Sequence, residues 1–183
     1  MIYITLNTAV LLSALSKRTL WRRIAAGQLR TLEGTGQGEH ARVVLEDVLA
    51  MSPLQLGSQE QALIVAADGG EAAAQCELGL LLLEQQQPAE AVGWLQLAAR
   101  QQHGEAMHQL GRCYIAGLGV EADEALGAGW ISRAAAAGHE LARHLAHYLT
   151  APDRPALPAA PLNAELDRIE RERVLEVLAE VAA

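Results

Sequence analysis

The feature that most constrains the fold of this chain is an internal repeat near its middle. Residues 104–138 hold two apolar stretches at helical spacing, with a Gly-Leu-Gly-Val loop at residues 117–120 between them. Matching positions recur at intervals of 32 and 36 residues, the pairs being Leu78 with Leu110 and Trp94 with Trp130. Two-helix units of this length bury their apolar faces only against neighbouring units. The sequence therefore predicts a mainly α protein built around an α/α superhelical repeat solenoid.

The second copy of this unit carries a motif that can be compared with known repeats. It reads Ala106-xxx-Leu110-Gly111-xx-Tyr114-xx-Gly117-x-Gly119-Val120-xxx-Asp123, followed by Trp130-xxx-Ala134-Ala135-xx-Gly138. This motif resembles the SEL-one-like repeat, a tetratricopeptide-related helical repeat. The resemblance implies a right-handed superhelix whose concave face binds other proteins. We predict that this face is lined by Glu77, Gln109, Arg112 and Arg133.

The other copies of the unit are less complete. In the first, Gln85-Gln86-Gln87-Pro88 replaces the glycine loop, and a third copy begins at His139 but stops at Thr150. Before them, Ala66-Ala67-xx-Gly70 repeats the end of the motif without a first helix. We expect the N-terminal domain to pack where that missing helix would lie.

The first 50 residues predict a different domain. Residues 2–6 favour a strand, Asn7 or Thr8 can cap a helix to about Leu15, and Ser16 can cap a second helix from Lys17 to about Ala26. Residues 29–32 and 41–45 flank a glycine-rich segment, as in a β-hairpin, and a short helix begins at residue 45.

This order of elements resembles the winged helix-turn-helix of the MerR-like and excisionase-like group. The residues that carry the resemblance are Leu6, Ala9, Leu12, Leu15, Ser16, Arg18, Thr19, Leu20, Arg22, Ile24, Gly27, Leu29, Arg42, Val43, Glu46, Asp47 and Val48. The resemblance implies that the second helix enters the major groove of double-stranded DNA. Lys17 and Arg22 would then read guanine edges, and Arg18, Arg23 and Arg42 would meet phosphates. Thr19 and Trp21 would add contacts to a thymine methyl group or to the backbone. The alternative is that the arginines form a solvated face on a domain that binds only protein.

Charge differs between the two parts of the chain. The net charge is −8, yet residues 1–50 carry six basic and four acidic side chains, so that part is +2 and the remainder is −10. Such asymmetry suggests separate partners for the two parts.

The sequence has no run of about 18 apolar residues that would predict a membrane span. The start lacks a basic leader region, and both cysteines fall in repeat helices, so we expect a cytoplasmic protein of bacterial type with no membrane contact.

The C-terminal part predicts a linker followed by a helix. Four prolines lie between Pro152 and Pro161, which favours an extended spacer, and residues 163–183 are rich in helix formers, with Asn163 as the cap. The helix either caps the open end of the solenoid or, as we favour, mediates a homodimer or docks a partner. The predicted domains are residues 1–52, 58–150, the linker 151–162 and the helix 163–183.

No residue pattern predicts catalysis. The six histidines lack paired metal-ligand spacing, and the chain has no nucleophile elbow or phosphate loop, so we expect no metal, no cofactor and no enzyme. The sequence favours a DNA-binding regulatory protein whose repeats bind a protein partner. A non-enzymatic adaptor whose helix-turn-helix does not bind DNA is the alternative, and an assembly factor for a secretion or surface-polymer machine is a third.

Overall fold

A computed structural model describes residues 1–32, 41–54, 56, 57 and 59–182. The elements within these ranges are β1 (Tyr3–Thr5), α1 (Leu6–Ser13), α2 (Lys17–Ala25), β2 (Arg42–Val44), α3 (Leu45–Leu49), α4 (Gln61–Asp68), α5 (Ala72–Glu84), α6 (Pro88–Arg100), α7 (Gly104–Ala116), α8 (Glu124–Ala136), α9 (Glu140–Thr150) and α10 (Ala159–Ala182). The protein is thus mainly helical, with a small sheet near its N-terminus and a helical repeat solenoid, as predicted. It divides into two compact units, Met1–Trp94 and Leu95–Ala183. The predicted domain boundaries stay a prediction.

The small sheet is centred on β2. It pairs antiparallel with β1, with Ile4 opposite Val43, and a bridge joins Thr31 to Val43 on its other side. The predicted pairing of the two flanks of the glycine-rich segment is therefore present. The tip of that hairpin, residues 33–40, lies outside the described residues.

The turn between α1 and α2 is set by its caps and by one left-handed residue. Ser16 caps α2 as predicted, because its hydroxyl accepts the backbone N–H of Thr19. The cap of α1 is Thr5, not Asn7 or Thr8, and α1 ends at Ser13 because Ala14 adopts φ 55°. Leu12 and Leu20 are fully buried, so the two helices share one small core.

Helix α4 belongs to the same compact unit as this N-terminal core. The carboxylate of Asp68, in its last turn, accepts hydrogen bonds from the backbone N–H of Thr5 at 2.9 Å and from its hydroxyl at 2.7 Å. α4 begins at Gln61 after Glu60, whose side chain makes no capping hydrogen bond. The start of the chain therefore packs beside α4, and its substitution for the missing repeat helix stays a prediction.

In the second unit, α7 and α8 cross at two glycines. A Cβ atom on Gly111 would lie 2.8 Å from the carbonyl oxygen of Gly127, and one on Gly127 would lie 2.7 Å from that of Gly111. The loop between the helices uses Gly117 and Gly119 at φ 69° and 71°, which L-residues with side chains rarely adopt. The glycines of the repeat motif thus set both the turn and the helix separation.

The C-terminal helix differs from its prediction at its start and in its position. α10 begins at Ala159, so the predicted linker is helical over its last four residues. Pro161 is tolerated because it lies in the first turn, where backbone N–H groups have no intrahelical partner. The first half of α10 packs on α7 and α9, with Leu162 and Leu166 buried. No described helix is both long and apolar enough to cross a membrane.

Candidate functional site

The side chain of Arg112 on α7 forms the centre of the contact with α10. It donates to the side-chain oxygen of Asn163 at 2.7 Å, pairs with Glu170 at 2.7 Å and also pairs with Asp167. Only 11% of the Arg112 side chain is exposed. We call the surface of α7 and α9 under α10 the helix-binding face.

His108 lies one turn before Arg112 on the same face. Its side chain is 2% exposed, and its Nε2 lies 2.8 Å from Oε1 of Glu170. Its Nδ1 has no hydrogen-bond partner among the described residues and lies 3.7 Å from Oε1 of Glu105. The ring therefore stands between two carboxylates, one from α7 and one from α10.

These carboxylates alter the protonation of the ring and of each other. Burial disfavours the charged form of His108, but the neighbouring Glu105 and Glu170 outweigh it and raise its pKa. His108 and, more weakly, His139 hold the pKa of Glu105 well below its usual range. Burial likewise disfavours the charge of Glu170, yet His108 and Arg112 lower its pKa. Arg112, together with His108 when its ring is protonated, thus places positive charge against the carboxylates of α10.

Glu105, His108 and His139 also place three possible metal-ligand atoms within 4.8 Å of one another. The two imidazole rings, however, stack with centroids 4.6 Å apart and planes 24° from parallel. A ligated ion lies in the plane of each imidazole at about 2 Å, and two stacked planes do not meet there. The ring geometry thus favours a hydrogen-bond network.

The tautomer of His139 follows from its role as a helix cap. Its Nδ1 accepts the backbone N–H of Ala142 at 3.1 Å, so its Nε2 carries the proton and donates to Glu105 at 2.8 Å. His103 caps α7 in the same way through Ala106. His139 therefore connects α9 to the charged cluster on α7.

A second surface feature lies away from α10. Arg133 lies over the ring of Trp130, 4.7 Å from its centroid, and both line an open cleft of about 520 Å³. Met107 and the end of α6 at Ala99 and Arg100 form the other wall. The cleft is apolar with a cationic edge.

The predicted protein-binding residues are thus distributed over more than one surface. Arg112 lies under α10, and Gln109 supports the same cluster by donating to Glu105 at 2.8 Å. Arg133 belongs to the Trp130 cleft. Glu77 is in the first compact unit, on a groove lined by both leucines and carboxylates, the latter including Glu60 and Glu84. Their assignment to protein binding stays a prediction.

The predicted DNA-binding residues on α2 differ in exposure. Lys17, Arg18 and Arg22 are exposed, whereas Trp21 and Arg23 are half-buried. The hydroxyl of Thr19 lies 3.0 Å from that of Ser16 at the helix cap. The exposed basic side chains of α2 are therefore those of Lys17, Arg18 and Arg22.

Two other arginines of this unit are engaged by carboxylates. Arg30 binds Asp47 at 2.6 Å, and its hydrogen bond lowers the pKa of that carboxyl. Arg42 lies 3.7 Å from Asp68. Carboxylates therefore lie beside both Arg30 and Arg42, and these two arginines do not extend the basic face of α2 as an uninterrupted positive surface. DNA contact by Arg42 stays a prediction.

Sequence reasoning did not identify His108 and Glu170 as functional residues. They are 62 residues apart, and no local pattern joins them. The one available signal was their helical spacing: His108 precedes Arg112 by four residues, and Asp167 precedes Glu170 by three. Such spacings put each pair on one face of a helix.

Helices of similar length that pack in succession, α7 on α8 and α8 on α9, define a helical-repeat fold. A family model described as Sel1 repeat matches residues 72–103 and 104–139. These two segments are therefore similar to Sel1 repeats, which suggest a protein–protein interaction module. These ranges include α5 through α8 and agree with the predicted repeats.

Among solved structures, the chain is similar to a Sel1 repeat protein from Oxalobacter formigenes. The two are 24% identical, the match covers 78% of this chain and 89% of the other, and the TM-score is 0.45. A search of the curated proteins finds no match.

Proposed function

We propose that the chain is a non-enzymatic adaptor whose repeats bind a partner protein. One observation carries this proposal: the repeat surface already holds a helix, through an almost fully buried arginine and histidine on α7. Burying charged groups is costly unless they are paired, so such a face suits a specific charged ligand and not general apolar adhesion.

The experiment is affinity capture through a tag at the N-terminus, comparing two matched glycine variants. Gly127→Val disrupts the crossing of α7 and α8, where a Cβ would meet backbone at 2.7 Å, whereas a Cβ on Gly129 would have no described neighbour within 4 Å. We expect a defined protein to be captured by the wild type and by Gly129→Val but lost with Gly127→Val. Equal capture by both variants would exclude the repeats as the binding part.

Contact with double-stranded DNA is a second candidate function, and the exposed basic face of α2 favours it. A sharp turn separates α1 from α2, as in a helix-turn-helix, and Lys17, Arg18 and Arg22 face solvent near the start and middle of α2. Basic side chains on such a helix can meet phosphates and base edges. With both activities the chain would be a transcription regulator that responds to its partner.

DNA binding is tested by fluorescence anisotropy with a mixed-sequence duplex at about 50 and 200 mM salt. We expect binding that weakens with salt and is lost in the double variant Arg18→Ala with Arg22→Ala. Arg143→Ala, which removes an exposed arginine from α9, is the control and should bind as the wild type does. Absence of binding at the lower salt concentration would leave only the adaptor function.

A further inference from the structure

The chemistry of α10 describes the kind of ligand that the helix-binding face accepts. Arg112 and His108 are four residues apart on α7, and they meet Asp167 and Glu170, three residues apart on α10. Both pairs lie on one side of their helices, so cations face carboxylates along the contact. Leu162 and Leu166 are buried beside them.

α10 does not have the composition of a simple end cap. A capping element needs a polar outer face, because it separates the repeat core from water. Beyond Arg173, α10 instead exposes Val174, Leu175, Val177, Leu178 and Val181, with Leu175 and Leu178 each 59% exposed and Val181 82% exposed. The role of α10 is therefore not limited to covering the repeats.

The contact also depends strongly on charged groups. An apolar helix of the same size would avoid the desolvation of Arg112 and Glu170, and replacing buried ion pairs by apolar groups is often neutral or stabilising. Paired charges do provide selectivity, since a helix without matching carboxylates leaves buried cations unpaired. The face thus favours a helix that places carboxylates opposite Arg112 and His108, while Glu140 of α9 pairs with Arg173 of α10 at 3.7 Å.

We infer that the helix-binding face is a receptor for an acidic amphipathic helix of a partner protein and that α10 occupies this receptor within the chain. The ligand helix carries two leucines four residues apart, followed by carboxylates one and four residues after the second leucine, as Leu162, Leu166, Asp167 and Glu170 do. This inference rests on the proposed adaptor function and names its site, its ligand chemistry and its regulation. The partner binds when α10 leaves.

The probe for this inference is a fluorescent peptide with the sequence of residues 158–173, titrated into the full chain. Asp167→Asn with Glu170→Gln removes the carboxylates of α10 and should release it, which hydrogen exchange of the α10 amides would report. We expect this opened variant to bind the peptide at least about tenfold more tightly than the wild type does, because the competing helix has left. Glu176→Gln with Glu180→Gln, on the exposed half of α10, is the matched control and should bind as the wild type does.

Two further variants give the test its chemical content. Arg112→Met in the opened chain should abolish peptide binding. Asp167→Asn with Glu170→Gln in the peptide should abolish it as well. If hydrogen exchange still shows a protected α10, Leu166→Ser is added to the opened variant and the titration is repeated.

The inference is overturned if the peptide binds a released chain no better than the wild type, or binds equally well without its carboxylates. In that case, partner capture that still distinguishes Gly127→Val from Gly129→Val would retain the adaptor function at another surface. If the two glycine variants also capture the partner equally, both the inference and the adaptor function are refuted.

Discussion

Replacing Gly111 by alanine tests whether backbone contact sets the separation of α7 and α8. The new methyl group would lie 2.6 Å from Cγ1 of Ile131 and 2.8 Å from the carbonyl oxygen of Gly127. The carbonyl oxygen belongs to the backbone and cannot rotate away, so the two helices must move apart. A methyl group on Gly129, also in α8, would have nothing within 4 Å.

The expected magnitudes follow from two opposing effects. Alanine in a helix interior is favoured over glycine by about 0.5–1 kcal/mol, and Gly129→Ala should gain this in full. Gly111→Ala gains the same amount but overpacks a closed contact, which costs about 1–3 kcal/mol. The two variants should therefore differ by roughly 1–3 kcal/mol in free energy of unfolding, with Gly111→Ala the less stable.

Denaturant unfolding followed by circular dichroism at a helical wavelength measures this difference. The transition midpoint should fall for Gly111→Ala and rise for Gly129→Ala, with little change in the slope of either transition. The reasoning is refuted if Gly111→Ala unfolds at the same denaturant concentration as Gly129→Ala, or at a higher one. Such a result would mean that the helices adjust to a methyl group without loss of packing.

Three further predictions concern single side chains. Because the pKa of His108 is raised in the folded chain, docking of α10 is fully stabilised below about pH 6.5 and weakens as the pH rises through the folded-state pKa. Hydrogen exchange of the α10 amides, corrected for intrinsic rates, should show this loss. The substitution His108→Asn should remove the pH dependence of docking. Burial raises the pKa of the Cys113 thiol to about 11, so a thiol reagent at about pH 8 should label Cys113 only after unfolding. Rapid labelling of Cys113 in the native chain, seen in peptide mass spectra, would contradict its burial. Asp123 caps α8 by accepting the backbone N–H of Leu126 at 2.9 Å. In thermal unfolding, Asp123→Ala should lower the free energy of unfolding by about 1 kcal/mol, and Asp123→Asn should lower it less. Equal losses of stability in the two variants would contradict the capping role.

Local chemistry made much of the fold predictable. Gly117 and Gly119 predict a turn because they allow positive φ, and the recurrence of Trp94 and Trp130 predicts the order of the repeat helices. Ser16 predicts the start of α2 because its hydroxyl can satisfy a free backbone N–H. The turn and cap signals need only a few consecutive residues, the repeat signal needs a comparison over 36 residues, and the structure contains each of these features.

The occupied helix-binding face was beyond sequence reasoning because it depends on contacts between distant segments. Nothing near Arg112 indicates that Asn163, Asp167 and Glu170 satisfy its charge. The prolines also concealed the first turn of α10, since Pro161 was interpreted as a helix breaker although the first turn accepts proline. A dimer through the C-terminal helix stays a prediction.

The segment between α9 and α10 also determines how readily α10 can be displaced. It covers residues 151–158, and within it Arg154 pairs with Glu124 and lies over the ring of Tyr148. A tether this short keeps α10 at an effective concentration on the order of millimolar near the face. A free helix of equal intrinsic affinity would have to approach that concentration to occupy half of the chains. The face would therefore respond to a partner above a threshold, and a partner that loosens Arg154 would lower that threshold without touching the face itself.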